Sequence, residues 1–163
     1  MNAGTASPNA TVRPLRRSDL ERVIAIDEAH SGLRRRRFME QRLIASEQRP
    51  DDYVLVGIER GNTLLGFALG RLLYGEYGRI EPVAVLDGIG VDPASQEHGY
   101  GHALMAGLVG ALRGKGVRKL HSQADWTSHR LLRFFDSLGF TLAPRVVVER
   151  DTARALDETS DEL

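Results

Sequence analysis

The chain has 163 residues, 42% of them hydrophobic and 27% charged, which suits one domain with a real core. Lys plus Arg and Asp plus Glu both number 22, so the net basic field expected of a nucleic-acid binder is lacking. There is no cysteine, which excludes disulfides, thiolate metal sites and a cysteine nucleophile. Met1 to Ala10 is small and polar, without the apolar centre of a signal peptide, and reads as a disordered lead-in. No apolar run approaches the roughly 20 residues that span a bilayer. A cytoplasmic protein with no membrane partner is expected. Thr11-Val12-Arg13 starts a strand that Pro14 confines to an edge or an end. Ser18-Asp19-Leu20-Glu21 reads as a capping box opening a helix, with Leu20, Val23, Ile24 and, at its margin, Asp27 at helical spacing. A second helix is predicted over Arg35 to Gln48, turning Phe38, Arg42 or Leu43, and Ala45 or Ser46 inward. Pro50-Asp51-Asp52 breaks it.

Strands follow. Tyr53 to Glu59 and Thr63 to Leu73 form a hairpin about Arg60-Gly61-Asn62. Tyr74 to Arg79 is a polar loop. Val83 to Val91 is a third strand of the series, and Gly88 and Gly90 within it suggest a bulge or a close backbone approach. Gln96-Glu97-His98-Gly99-Tyr100-Gly101 then leads into a helix from His102 to Arg113, with Leu104, Leu108 and Leu112 on one face and Met105 and Val109 beside them. A glycine turn before a helix aims unpaired N–H groups at one spot. The partial positive charge of the first turn makes that spot suitable for a phosphate or pyrophosphate. Gly114-Lys115-Gly116 ends the helix. Val117 to Ala124 is read as a strand. Thr127 or Ser128 caps a last helix burying Leu131, Leu132, Phe135 and Leu138, closed by Gly139 and Phe140. Arg145 to Arg150 is read as a final strand, and Asp151 to Leu163 as an acidic tail. The fold class is α/β (α+β): a single domain over residues 11–150 in the order βααβββαβαβ. An antiparallel hairpin precedes parallel pairing after Val83.

That order, with Gln96-x-x-Gly99-x-Gly101, resembles the GNAT superfamily of acyl-CoA-dependent N-acetyltransferases, whose signature is Arg/Gln-x-x-Gly-x-Gly/Ala opening a helix after the fourth strand. Phe134-Phe135-Asp136-Ser137-Leu138-Gly139-Phe140 is similar to the family's late Leu-Gly-Phe corner. The resemblance implies a mixed sheet with a splayed parallel pair, here Val83 to Val91 and Val117 to Ala124. It also implies acetyl-CoA as cosubstrate. The pantetheine arm would pair with Ile89, Gly90 and Val91 like an added strand. The pyrophosphate would sit on amides of Glu97, His98, Gly99, Tyr100, Gly101 and His102, with Gln96 also at the cofactor and Glu97 turned to solvent. Ser128 and Phe135 stand where family members commonly have Asn and Tyr, so the usual proton donor at position 135 is replaced by a phenyl ring. The acceptor would be an amine on a small molecule or peptide, and dimers are common in such proteins.

One-step transfer follows from the absence of cysteine. Period-two alternation puts Asp87 on the face of Ile89 and Val91, which makes it a candidate base; it reads equally as a structural carboxylate at a bulge. Asp125 and His121 are second candidates, and Asp125 also reads as a cap of the following helix. Tyr74, Tyr77 and Tyr100 are substitutes for the missing acid by type alone, Tyr100 reading as packed or solvated. Glu81 lies at the strand entrance, and His129 reads as solvated. Trp126 either walls the cleft or packs in the core. Arg34-Arg35-Arg36-Arg37 either holds an acidic substrate or forms a solvated basic face. An α-amine of pKa about 8 is partly neutral at pH 7 and suits a site without a strong base better than lysine, near 10.4. A non-catalytic acyl-CoA-binding module is the alternative.

Overall fold

The computed structural model describes residues 9–153. The expected N-terminal lead and acidic tail lie outside the described residues, apart from 9–10 and 151–153. Nine elements follow one another: β1 (Thr11–Pro14), α1 (Leu20–Ser31), α2 (Arg36–Gln48), β2 (Tyr53–Arg60), β3 (Thr63–Leu73), β4 (Val83–Val91), α3 (Tyr100–Gly114), β5 (Leu120–His121) and α4 (His129–Ser137). Short 3-10 turns precede α1, β4 and α3. The strands lie in sequence order in one sheet. Pairings β1 to β4 are antiparallel, and β4 with β5 is parallel.

The β2–β3 hairpin turns on Gly61 and Asn62, both at positive φ (53° and 64°), with Arg60 opposite Thr63. That two-residue turn matches the strands' own twist. The sheet has two covered faces. On one, α1 and α2 bury Val23, Ile24, Ile26, Met39 and Leu43 against Tyr53, Leu55, Phe67 and Leu69. On the other, α3 drives Leu104, Leu108 and Leu112 onto Val54, Val56, Ala68, Leu72 and Ala84. Leu104 and Leu108 are fully buried, each stabilising the domain by about 1.5–3 kcal/mol relative to exposure.

Three local expectations are corrected. The Ser18–Glu21 capping box is not made. Instead the Asp19 carboxylate accepts from the Arg16 N–H (2.7 Å) and from both terminal nitrogens of Arg13 (2.8 and 2.9 Å). Arg13 also donates to Glu59 (2.6 Å), so β1, β2 and the start of α1 are tied by one guanidinium. Arg13 reaches from a neighbouring strand and draws Asp19 inward, which places the cap at Arg16. Second, the strand expected over Val117 to Ala124 shrinks to two paired residues, Leu120 opposite Ala84 and His121 opposite Val85. Val117 is spent on closing α3, its N–H bonding Leu112 O. Third, residues 145–150 form no strand. Val146, Val147 and Val148 are 85%, 73% and 88% exposed. β-branched residues form a strand only where an edge offers a ladder, and a two-residue β5 offers almost none. The described order is therefore βααβββαβα.

Candidate active site

The site begins with an irregularity in β4. Leu69 pairs with Gly88 and Gly70 with Leu86, so Asp87 is the extra residue of a bulge. A bulge puts two successive residues on one side of a strand. Leu86 and Ile89 join the α3 core, whereas Gly88 and Gly90 face Phe67, Leu69, Ile26 and His30 on the α1 side. Asp87 turns to that same side, where Arg42 of α2 and Arg71 of β3 approach its Oδ2 at 2.8 and 3.3 Å. The expectation that Asp87 shares a face with Ile89 and Val91 is thereby overturned: alternation fails across the inserted residue. Its Oδ1 has no donor among the described residues, and the side chain is 11% exposed. Asp87 opens onto a cleft of about 430 Å³ lined by β3, β4, the 76–79 loop, residues 121–123 and Arg145.

Beyond Val85 the two parallel strands separate. The last link is a side chain: Ser122 Oγ donates to Leu86 O (3.3 Å). From there β4 continues six residues without a β5 partner, leaving a fork. At its far end the Val91 carbonyl accepts from His30 Nε2 (2.6 Å) and Gln96 Nε2 (3.4 Å). Asp92 N–H turns back to Leu65 O on β3 (2.7 Å), so the Val91 peptide edge faces away from β3. Arg22 clamps the Asp92 carboxylate. Burial opposes ionisation of Asp92, but the Ala94 N–H and Arg22 outweigh it and hold its carboxyl below the ordinary range.

The chain then enters α3 through Gln96 to Gly99. Glu97 and Gly99 both have positive φ (67° and 75°). Glycine takes that conformation without cost, whereas glutamate does not. No acceptor among the described residues takes the main-chain N–H groups of residues 97–102. Six donors at a positive helix end make an anion cradle. Glu97 is exposed, as expected. Tyr100 is buried, its hydroxyl accepting from Arg60 (3.3 Å), and His98 stacks on its ring at 5.7 Å. Gly101 also makes room for α4: a Cβ there would lie 3.0 Å from the Phe134 ring. His102 meets the edge of the same ring at 6.4 Å. Gln96 Oε1 accepts from Arg130 (2.8 Å), a second tie between the loop and α4.

Of the remaining candidates, His121 and Tyr77 line the cleft and the following fall outside it. Asp125 is exposed and accepts from the Thr127 N–H (2.9 Å) and hydroxyl (2.7 Å). These bonds hold its carboxyl below the ordinary value and fix the turn before α4. Ser128 occupies the N-cap position without a side-chain bond. Phe135 is buried with its ring 4.9 Å from Phe140, whose N–H closes the Leu-Gly-Phe corner on Phe135 O (3.0 Å). Trp126 is 82% exposed, so the core placement is corrected. Three of the four consecutive arginines are matched within the helices: Arg34 with Glu28, Arg35 with Asp27 and Arg36 with Glu21. His30, Arg79, Ser122 and Arg145 carry no motif and were not singled out by sequence.

The Acetyltransferase (GNAT) family profile matches residues 20–140, most of the chain. The chain belongs to the GNAT family. A mycothiol acetyltransferase of Thermobispora bispora is 31% identical over 83 residues, 51% of this GNAT chain and 28% of that protein. The chain thus spans about a quarter of the length of the curated relatives it matches, 28% and 24%. Among solved structures, the aminoglycoside N-acetyltransferase AAC(6')-Iy in complex with CoA superposes with a TM-score of 0.74 at 20% identity, covering 88% of this chain and 95% of that one. The aminoglycoside acetyltransferase meta-AAC0020 from an uncultured soil metagenomic sample, in complex with sisomicin, gives 0.70 at 20% identity, covering 90% and 97%. At these identities the likeness is one of fold.

Proposed function

We propose that this GNAT chain is an N-acetyltransferase that moves an acetyl group from acetyl-CoA directly to an amine. The observation that carries this reading is the row of six unengaged amides, 97–102, at the end of a β4–β5 fork. Those amides suit the pyrophosphate, and the open side of β4 suits the pantetheine arm as a substitute strand. The thioester would then lie near the Asp87 bulge, with the Val91 peptide as a candidate donor to its carbonyl oxygen.

In the proposed step an ammonium proton passes to Asp87 Oδ1, directly or through one water, and on to solvent. The freed nitrogen lone pair attacks the thioester carbon. The N–C bond forms, the attacking nitrogen gives up its second proton to solvent, the C–S bond breaks, and CoA leaves as thiolate beside the neutral amide. A thiol pKa of about 8.5 makes that leaving group adequate without a protein acid, in keeping with Phe135. Holding amine and thioester together supplies much of the rate. Asp87→Asn is expected to lower kcat and to shift the pH–rate profile so that activity is recovered only at high pH. An unchanged profile removes Asp87 as base.

Burial of Phe135 against Phe140 favours a second reading, a CoA-binding module without turnover. A thermal-shift titration with acetyl-CoA, followed by thiol release over an amine panel, separates the two. The absence of cysteine gives that assay a clean background. A shift with thiol release supports the enzyme, and a shift with no release for any amine supports the module. No shift at millimolar acetyl-CoA removes both.

A further inference from the structure

We propose that the cleft at Asp87 takes an amine that carries an anionic group, a carboxylate or a phosphate, beside the reacting nitrogen. This rests on the acetyltransferase reading and names its acceptor class. The chain as a whole is electrically balanced, but the cleft is not. Three guanidiniums, Arg71, Arg79 and Arg145, line it against two carboxylates, Glu76 and Asp87. Asp87 is already engaged on Oδ2 by Arg71 and, from behind, by Arg42. Arg79 and Arg145 donate to no side chain among the described residues and form no ion pair there, whereas the third guanidinium of the cleft, Arg71, is engaged by Asp87. Two uncommitted guanidiniums across a cleft from a carboxylate with one free oxygen make a bipolar site: ammonium at Asp87 Oδ1, anion at Arg79 and Arg145. Guanidinium forks bind carboxylate and phosphate by paired charge-assisted bonds. The 76–79 loop that carries Arg79 is held in an unusual shape, with Tyr77 at φ 53° and 92% exposed at the cleft wall. A left-handed aromatic is a strained feature of the kind found at ligand clamps. A polycation such as an aminoglycoside would meet like charge here and be disfavoured.

The test uses matched acceptors with the whole chain and acetyl-CoA: L-phenylalanine against L-phenylalaninamide, O-phosphoethanolamine against ethanolamine, and sisomicin as the polycation. The expected result is at least a tenfold higher kcat/KM for one anion-bearing member over its neutral partner. The pair that shows it identifies carboxylate or phosphate. Arg79→Gln and Arg145→Gln should each raise KM for that acceptor about fivefold or more and shrink the preference, while Arg113→Gln, exposed in the last turn of α3, leaves the preference intact. Equal or better turnover of the neutral amines or of sisomicin overturns the proposal. If acetyl-CoA fails to bind, or binds with no transfer to any amine, the enzymatic reading fails separately. Calorimetric titration with O-phosphoethanolamine and L-phenylalanine then decides the anion site alone. Binding that weakens in Arg79→Gln supports it, and no binding to either overturns it.

Discussion

Asp19 shows how much one side chain can organise. Burial raises the cost of its charge, yet the Arg13 fork and the Arg16 N–H outweigh that cost and hold its carboxyl below the ordinary value. A group with a depressed folded pKa stabilises the fold above its unfolded pKa, about 3.9, and loses that contribution as pH falls through the folded value. Asp19→Asn should therefore cost roughly 2–3 kcal/mol in urea unfolding at pH 7, somewhat less than a fully buried pair. The gap between variant and parent should close below about pH 4. At Glu97 the opposite applies: a side chain sits where the backbone favours glycine, and its charge lies beside a cradle for anions. Glu97→Gly should lower the Kd for CoA about threefold or more in a titration, by relieving both. These residues differ in legibility. Gln96, Gly99 and Gly101 form a local pattern and were readable. Asp87 was readable as a candidate, but its facing was not, because a bulge is a property of two strands in register. His30 and Arg79 reach the site through tertiary placement alone, and no spacing in the chain announces them.

At the scale of elements, α3 and α4 form a unit. The Phe134 ring fills the space that a side chain at 101 would need, and Arg130 holds Gln96. Gly101→Val should force the helices apart, with a penalty of about 1–3 kcal/mol. Calorimetry should show a Tm several degrees lower, and CoA affinity should fall tenfold or more because the amides of the first turn move with the helix. Helices and the last corner were legible because periodicity and the glycine–aromatic stop are local signals, whereas the Ser18 cap was not, because Arg13 on β1 draws Asp19 inward. Strands at 117–124 and 145–150 were over-read for the complementary reason. Apolar, β-branched sequence supplies a candidate, but only a neighbouring edge makes it a strand, and here that edge is short.

Across the whole molecule, cohesion is uneven. β1 to β4 are joined by long registers and covered on both faces, whereas β5 is attached by two residue pairs. Native-state hydrogen exchange should accordingly show slow amides in β2 and β3, with β5 and residues 122–128 opening first. Saturating CoA should slow exchange in 88–102 and in β5. Uniform protection along all five strands would contradict this account.

The hydroxyl of Ser122 has a particular consequence. Reaching across to Leu86, it is the final stitch before the two strands part. Trimming it to hydrogen in Ser122→Gly should let the seam fray back toward His121 and deepen the pouch. Its depth would then be tuned by a residue that touches no reacting atom.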